Sequence, residues 1–170
     1  MKDKSMQIQV SICNFNTTCL TNNCIRSVLS MLDGLDFKIV VLDNSDVMPF
    51  SIDDSLKTCG LIDVIDNTSR QVVSIDDVIQ QKQYKVEDRN VMKNYASIMH
   101  ACSIQFLIDH CNADYMLLLD SDVILRRSLN RLFLDNDDCI TVADIQGLDG
   151  FDNVRISRPY WGKTRFIPFI

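Results

Sequence analysis

No stretch of this chain approaches the ~18 consecutive apolar residues of a membrane-crossing helix. Met1–Gln9 holds no apolar run, so no secretory leader is expected. There is no C-x-x-C pair, and His100 and His110 are the only imidazoles, which argues against a Cys/His metal centre. A basic stripe is also missing. With a net charge of −6, that argues against unassisted binding of nucleic acid or anionic membrane. Repeats, low-complexity tracts and a linker are absent. The seven cysteines (13, 19, 24, 59, 102, 111 and 139) are odd in number and scattered. They read as reduced, partly buried thiols in a soluble cytoplasmic protein.

What remains is ordinary globular composition, 46% apolar and 24% charged over 170 residues, enough for one domain with a core. Ile8–Cys13 alternates apolar and polar and predicts a strand. Ile25, Val28, Leu29 and Leu32 share one helix face, with Thr21 as N-cap. Phe37–Leu42 is a second strand, stopped by Asp43-Asn44-Ser45-Asp46. Strand, helix, strand with short links is a βαβ unit, so the expected fold is α/β with a mostly parallel sheet flanked by helices. A short helix over 51–57 ended by Gly60 and a strand over Leu61–Ile65 follow. Residues 66–92 are weakly patterned. Ile104, Leu107, Ile108 and Cys111 mark a helix over about 94–111, and Ser128–Leu134 reads as a short one.

Tyr115-Met-Leu-Leu-Leu-Asp120-Ser-Asp122 concentrates the chemistry. The apolar run predicts a buried strand, and alternation would point Asp120 and Asp122 the same way, at its carboxyl end. Carboxylates ~4 Å apart repel by about 1 kcal/mol in water and about 4 kcal/mol at a partly buried surface. A hard divalent cation, Mn²⁺ or Mg²⁺, sharing its other positions with substrate phosphates, removes that cost. A solvated strand end is the plainer alternative. Asn14–Thr17 and Asp43–Asp46 are polar strand ends too, and open α/β sheets bind ligands at that edge. Asp43 has a competing role as a turn-forming Asx residue.

In order and spacing these pieces resemble the GT-A fold sugar transferases, in particular family 2 glycosyltransferases. The matching residues are Val10-Ser-Ile-Cys-Asn14-Phe15-Asn16-Thr17, Cys24-Ile-Arg-Ser-Val-Leu, Val41-Leu-Asp43-Asn44-Ser45 and the D-x-D motif Leu119-Asp120-Ser121-Asp122-Val123. They cover roughly residues 8–46 and 93–126, with a weaker echo at Arg155–Pro159. The resemblance implies a Rossmann-like GT-A domain that binds a nucleoside diphosphate sugar, UDP-linked, through Asn14, Phe15, Thr17, Asp43, Asn44, Lys93 and Asp120. Phe15 and Thr17 would line the base pocket, with Phe15 stacking on uracil. Asp43 would contact base or ribose. Asp120 would sit near ribose and metal, and Asp122 would ligate Mn²⁺ or Mg²⁺. Lys93 would meet a phosphate, with Asn94 and His100 nearby, although an ordinary interior or edge histidine is the commoner role for His100. Arg155 and Arg158 would be within reach of an anion or simply solvated.

The implied reaction is metal-dependent glycosyl transfer to a saccharide or lipid-linked acceptor, as in surface polysaccharide assembly. Members of that family continue past D-x-D into an acceptor-binding half. Here the chain stops at Ile170 on an apolar segment, as if a strand were cut, so the acceptor half of the 1–170 domain is expected to be incomplete. Asp144, Asp149 and Asp152 are the acidic candidates for a base in that half, and no motif selects one, which leaves the catalytic residue unassigned. Three alternatives stay open. One is a sugar-nucleotide-binding domain without turnover. Another is a haloacid-dehalogenase-like phosphohydrolase with Asp120 as nucleophile and Asp122 as acid/base. The last is an α/β domain whose polar strand ends are incidental.

Overall fold

A computed structural model describes residues 7–74, 95–130 and 133, and the backbone of strands 142–144, 155–157 and 165–169. In chain order the elements are β1 (Gln7–Asn14), α1 (Thr18–Met31), β2 (Asp36–Asp43), α2 (Asp54–Lys57), β3 (Ile62–Asp66), α3 (Tyr95–Asp109), β4 (Tyr115–Asp120), β5 (Val142–Asp144), β6 (Arg155–Ser157) and β7 (Arg165–Phe169). The strands form one sheet in the order β3-β2-β1-β4-β7-β5-β6. Every described pairing is parallel except β5 with β6. The expected α/β architecture with a mostly parallel sheet is therefore the one found.

The strand sequences explain the layering. Successive side chains on a strand point to opposite faces, so a strand covered on both sides must be apolar throughout. Ile39 and Val41 join Val10, Ile12, Leu117 and Leu119 on one face, packed against Ile25 and Val28 of α1 and its C-cap Leu32. Val40, Leu42, Met116 and Leu118 point the other way, toward Met99 and Leu107 of α3. At Gln9 and Ser11 β1 departs from the pattern. Both are buried under α3, with Gln9 Nε2 donating to Ser11 Oγ (3.0 Å).

Several expectations are corrected in detail. Thr17, not Thr21, is the N-cap of α1. Thr21 N makes a helical bond to the Thr17 carbonyl (2.9 Å), and its hydroxyl is drawn to the buried Asn14. The buried face of α3 is Met99, Ser103 and Leu107, with Ile104 and Ile108 at its flank and Cys111 beyond its end. The apolar end of the chain, read as strand-like, forms β7, which pairs with β4 from Tyr115↔Arg165 to Leu119↔Phe169. The expected 128–134 helix lies partly outside the described residues. Within it the Phe133 ring meets Tyr115 edge-on at 5.8 Å. Among the described residues no helix is long and apolar enough to cross a membrane.

The sheet order fixes where a site can form. From β1 the chain adds β2 and β3 on one side, then crosses to lay β4 on the other. Such a reversal opens a crevice at the carboxyl ends of the two strands that flank it. The register lines up Asn14, Asp43 and Asp66 as neighbours along that edge, and sets Cys13 beside Asp120.

Candidate functional site

The edge is built by side chains that hold the loops. Asn14 is fully buried at the end of β1. Its Nδ2 donates to Asp43 Oδ1 (2.8 Å) and Ser45 Oγ (2.9 Å), and its Oδ1 accepts from Thr21 Oγ1 (2.6 Å). Thr17 Oγ1 lies 3.0 Å from Asn14 Oδ1 and 3.0 Å from Ser121 Oγ, which links the β1 loop to the turn after β4. Asp43 holds its own loop. Oδ1 also accepts from the Ser45 amide (3.1 Å) and hydroxyl (2.6 Å), and Oδ2 accepts from the Phe50 amide (2.7 Å). The turn-forming role is the one its 2%-exposed carboxylate performs.

Asn16 makes the second clamp. It takes a left-handed backbone, φ 54°, which asparagine tolerates better than other non-glycine residues. Its Oδ1 accepts from the successive amides of Asp46 (3.3 Å), Val47 (3.1 Å) and Met48 (3.2 Å). A third clamp runs under the cleft. Asn44 Nδ2 donates to Ser103 Oγ of α3 (2.8 Å), and Asn44 Oδ1 accepts from Asn67 Nδ2 (2.7 Å). Asn67 in turn caps the amides of Val72 and Val73, each at 2.9 Å. Satisfied networks of this kind rigidify what they join, since breaking one leaves buried polar groups without partners.

These clamps frame a cleft of about 260 Å³. Cys13, Asn14 and Asn44 line its strand-end side, Phe15 and Asp46 its loop side, and Tyr95, Met99 and His100 its α3 side. Arg70 also lines it, with φ 60° and Nη1 donating to the carbonyls of Asn44 (2.6 Å) and Asn67 (3.2 Å). Asp46 and Arg70 put both signs of charge at one rim.

Beside the cleft stands the carboxylate pair. Asp120 ends β4, and the chain then turns, closed by Val123 N donating to the Asp120 carbonyl (3.1 Å). Strand alternation therefore does not reach Asp122, which sits in that turn. The two carboxylates still share a neighbour. The Cys24 thiol is pushed up to about 12 by burial first, then by Asp122 and by Asp120. Cys13 is likewise raised to about 12, by burial and then Asp120. The Asp120 side chain is half-exposed, with Oδ1 3.4 Å from His100 Nε2, and Asp122 is exposed.

Two accessible hard-oxygen donors fit Mn²⁺ or Mg²⁺, which take one or two carboxylates and complete their shell with phosphate and water. Among the described residues no group of three or more His, Cys, Asp or Glu side chains forms a self-sufficient metal cage.

Of the residues singled out from sequence, the fold brings Asn14, Phe15, Thr17, Asp43, Asn44 and His100 to the cleft and the loops that frame it, with Asp120 and Asp122 alongside. Lys93, Asn94, Arg158, Asp149 and Asp152 lie outside the described residues. Asp144 and Arg155 face each other in the register of β5 and β6. Arg70, Tyr95 and Met99 were not foreseen. The strand-end rule, extended to the polar stretch after β3, would have drawn attention to Arg70.

No family model matches the chain, and no curated protein matches it. Among solved structures it is similar to an active-site mutant of LgtC, at 20% identity over 84% of this chain, with a TM-score of 0.49. It is also similar to galactosyltransferase LgtC in complex with donor and acceptor sugar analogs, at 20% identity over the same share, with a TM-score of 0.48. The chain spans about half the length of those structures, 49% in each case.

Proposed function

We propose that this chain forms the donor-binding part of a metal-dependent glycosyltransferase of the GT-A type, taking a nucleoside diphosphate sugar, UDP-linked, and serving a saccharide or lipid-linked acceptor. One observation carries the reading. A cleft framed by locked loops opens at the carboxyl ends of β1 and β2, beside two accessible carboxylates where the strand order reverses. At about 260 Å³ the cleft falls short of the roughly 300–1,000 Å³ that encloses a whole small ligand. It suits one end of a longer molecule, the base and ribose, with the diphosphate lying toward Asp120 and Asp122.

In this reading Asp122, with Asp120, holds Mn²⁺ or Mg²⁺, which when bound offsets charge growing on the departing nucleoside diphosphate. Phe15 offers an apolar face to the base. Arg70 brings positive charge into an otherwise acidic protein. Asn14, Asp43, Asn16 and Asn44 shape the cleft by fixing its loops, so Asp43 contributes through the loop it holds. Placement in family 2 rests on the sequence motifs.

Incubation with UDP-glucose, UDP-galactose and UDP-N-acetylglucosamine plus Mn²⁺, with UDP release as readout, tests the reaction. Release that falls to background in Asp122→Ala supports transfer chemistry. UDP binding without release supports the binding-only form. Release of phosphate from an aryl phosphate, lost in Asp120→Asn, would favour the phosphohydrolase reading instead.

A further inference from the structure

We propose that Tyr95 is a second aromatic wall of this cleft, so that a planar heteroaromatic base is held between Phe15 and Tyr95. The inference rests on the donor-binding reading and names the part of the ligand the cleft takes. Both rings line the cleft, and both are substantially exposed, Phe15 at 48% and Tyr95 at 39%. Among the described residues the paired rings are Phe106 with His110 and Tyr115 with Phe133, which leaves Phe15 and Tyr95 uncommitted.

The two rings come from separate elements, the loop after β1 and the start of α3. Phe15 lies between Asn14 and Asn16, whose side chains are tied to the loop after β2. Tyr95 opens α3, which is docked to the sheet through Met99, Ser103 and Leu107. An aromatic side chain has only two torsions to fix when it stacks, so the exposed faces of both rings are available for binding at low entropic cost. Cys13 and Met99 add polarizable, apolar surface to the same cleft. Asp46, Arg70, Asn44 and His100 add polar groups at its margins. Apolar faces with a mixed donor and acceptor rim are complementary to a nucleobase, which is apolar on its faces and polar at its edges.

Calorimetric titration with uridine, UDP, methyl galactoside and inorganic diphosphate plus Mn²⁺ tests this, on wild type, Tyr95→Phe, Tyr95→Leu and Tyr95→Ala. Loss of one stacked ring is expected to weaken uridine and UDP about 10-fold in Tyr95→Ala. Tyr95→Leu should be weakened as well, because it restores volume but no π face. Tyr95→Phe should bind as wild type, and inorganic diphosphate should be indifferent to all three changes. Thermal unfolding of each variant checks that the fold is kept.

Equal UDP affinity in wild type, Tyr95→Leu and Tyr95→Ala overturns the assignment while leaving the donor site standing. Wild type that binds methyl galactoside but not uridine overturns it too, because the rings then serve a sugar. Wild type that binds neither uridine nor UDP overturns both this inference and the reading beneath it.

Discussion

Cys24 lies under the carboxylate turn, its sulfur 3.7 Å from the Asp120 carbonyl oxygen. Its thiol and that of Cys13 titrate near 9 in the unfolded chain and about 12 in the folded one. A raised folded value means the stabilising contribution is complete below pH 9, declines as pH rises, and is gone above about 12. The urea midpoint should therefore fall between pH 8.5 and 11, and fall less steeply in Cys24→Ala. At pH 8 iodoacetamide should label the exposed Cys19 and spare both buried thiols, since only the thiolate reacts. Peptide mass mapping reads that outcome directly. At this scale the sequence was legible where chemistry is carried by residue type. Asp120 and Asp122 stood out because two carboxylates after an apolar run are costly without a counter-charge. The role of Asp43 was ambiguous, because base contact and turn formation use the same acceptor. Four donors around it supply the turn-forming bonds.

Between elements, Asn14 is the junction. It joins the end of β1 to the loop after β2 and to the first turns of α1. Asn14→Ala leaves Asp43, Ser45 and Thr21 short of partners in a buried setting, at a cost of about 1–3 kcal/mol. Urea unfolding should show the midpoint lowered with the slope unchanged. Element positions were readable from apolar periodicity, and β1, β2, β3 and β4 fall within about a residue of their sequence bounds. Two details were not. The start of α1 lies one turn earlier than expected, and the Thr21 hydroxyl bonds back to Asn14, seven residues before it, a contact outside the local capping pattern. The turn after β4 broke the expected alternation, because the Val123-to-Asp120 bond ends the strand at the first carboxylate. Arg70 and Tyr95 escaped notice for the same reason. Arg70 lies on no periodic segment, Tyr95 opens a helix whose apolar periodicity begins further along, and only the sheet order brings these positions to one edge.

For the whole molecule, sheet order turns a set of individually weak signals into one site. Polar residues after β1, β2 and β4 would be scattered in another topology. In the order β3-β2-β1-β4 they meet where the direction of strand addition reverses. In the proposed reading a chain of net charge −6 would meet an anionic diphosphate at that edge, and Arg70 and a cation on the carboxylate pair would carry the electrostatic burden. The metal dependence of nucleotide binding is accordingly the central claim. The measurement that tests it most directly is thermal unfolding with UDP, with and without Mn²⁺, on wild type and Asp122→Ala. Ligand at 100 times its Kd adds about 2.7 kcal/mol to stability, which for a chain of this size raises Tm by roughly 5–10 °C. The account predicts a rise of that order with UDP and Mn²⁺ together, a smaller one with UDP alone, and loss of the Mn²⁺-dependent part in Asp122→Ala. An equal rise with and without Mn²⁺, or one that survives intact in Asp122→Ala, would contradict it.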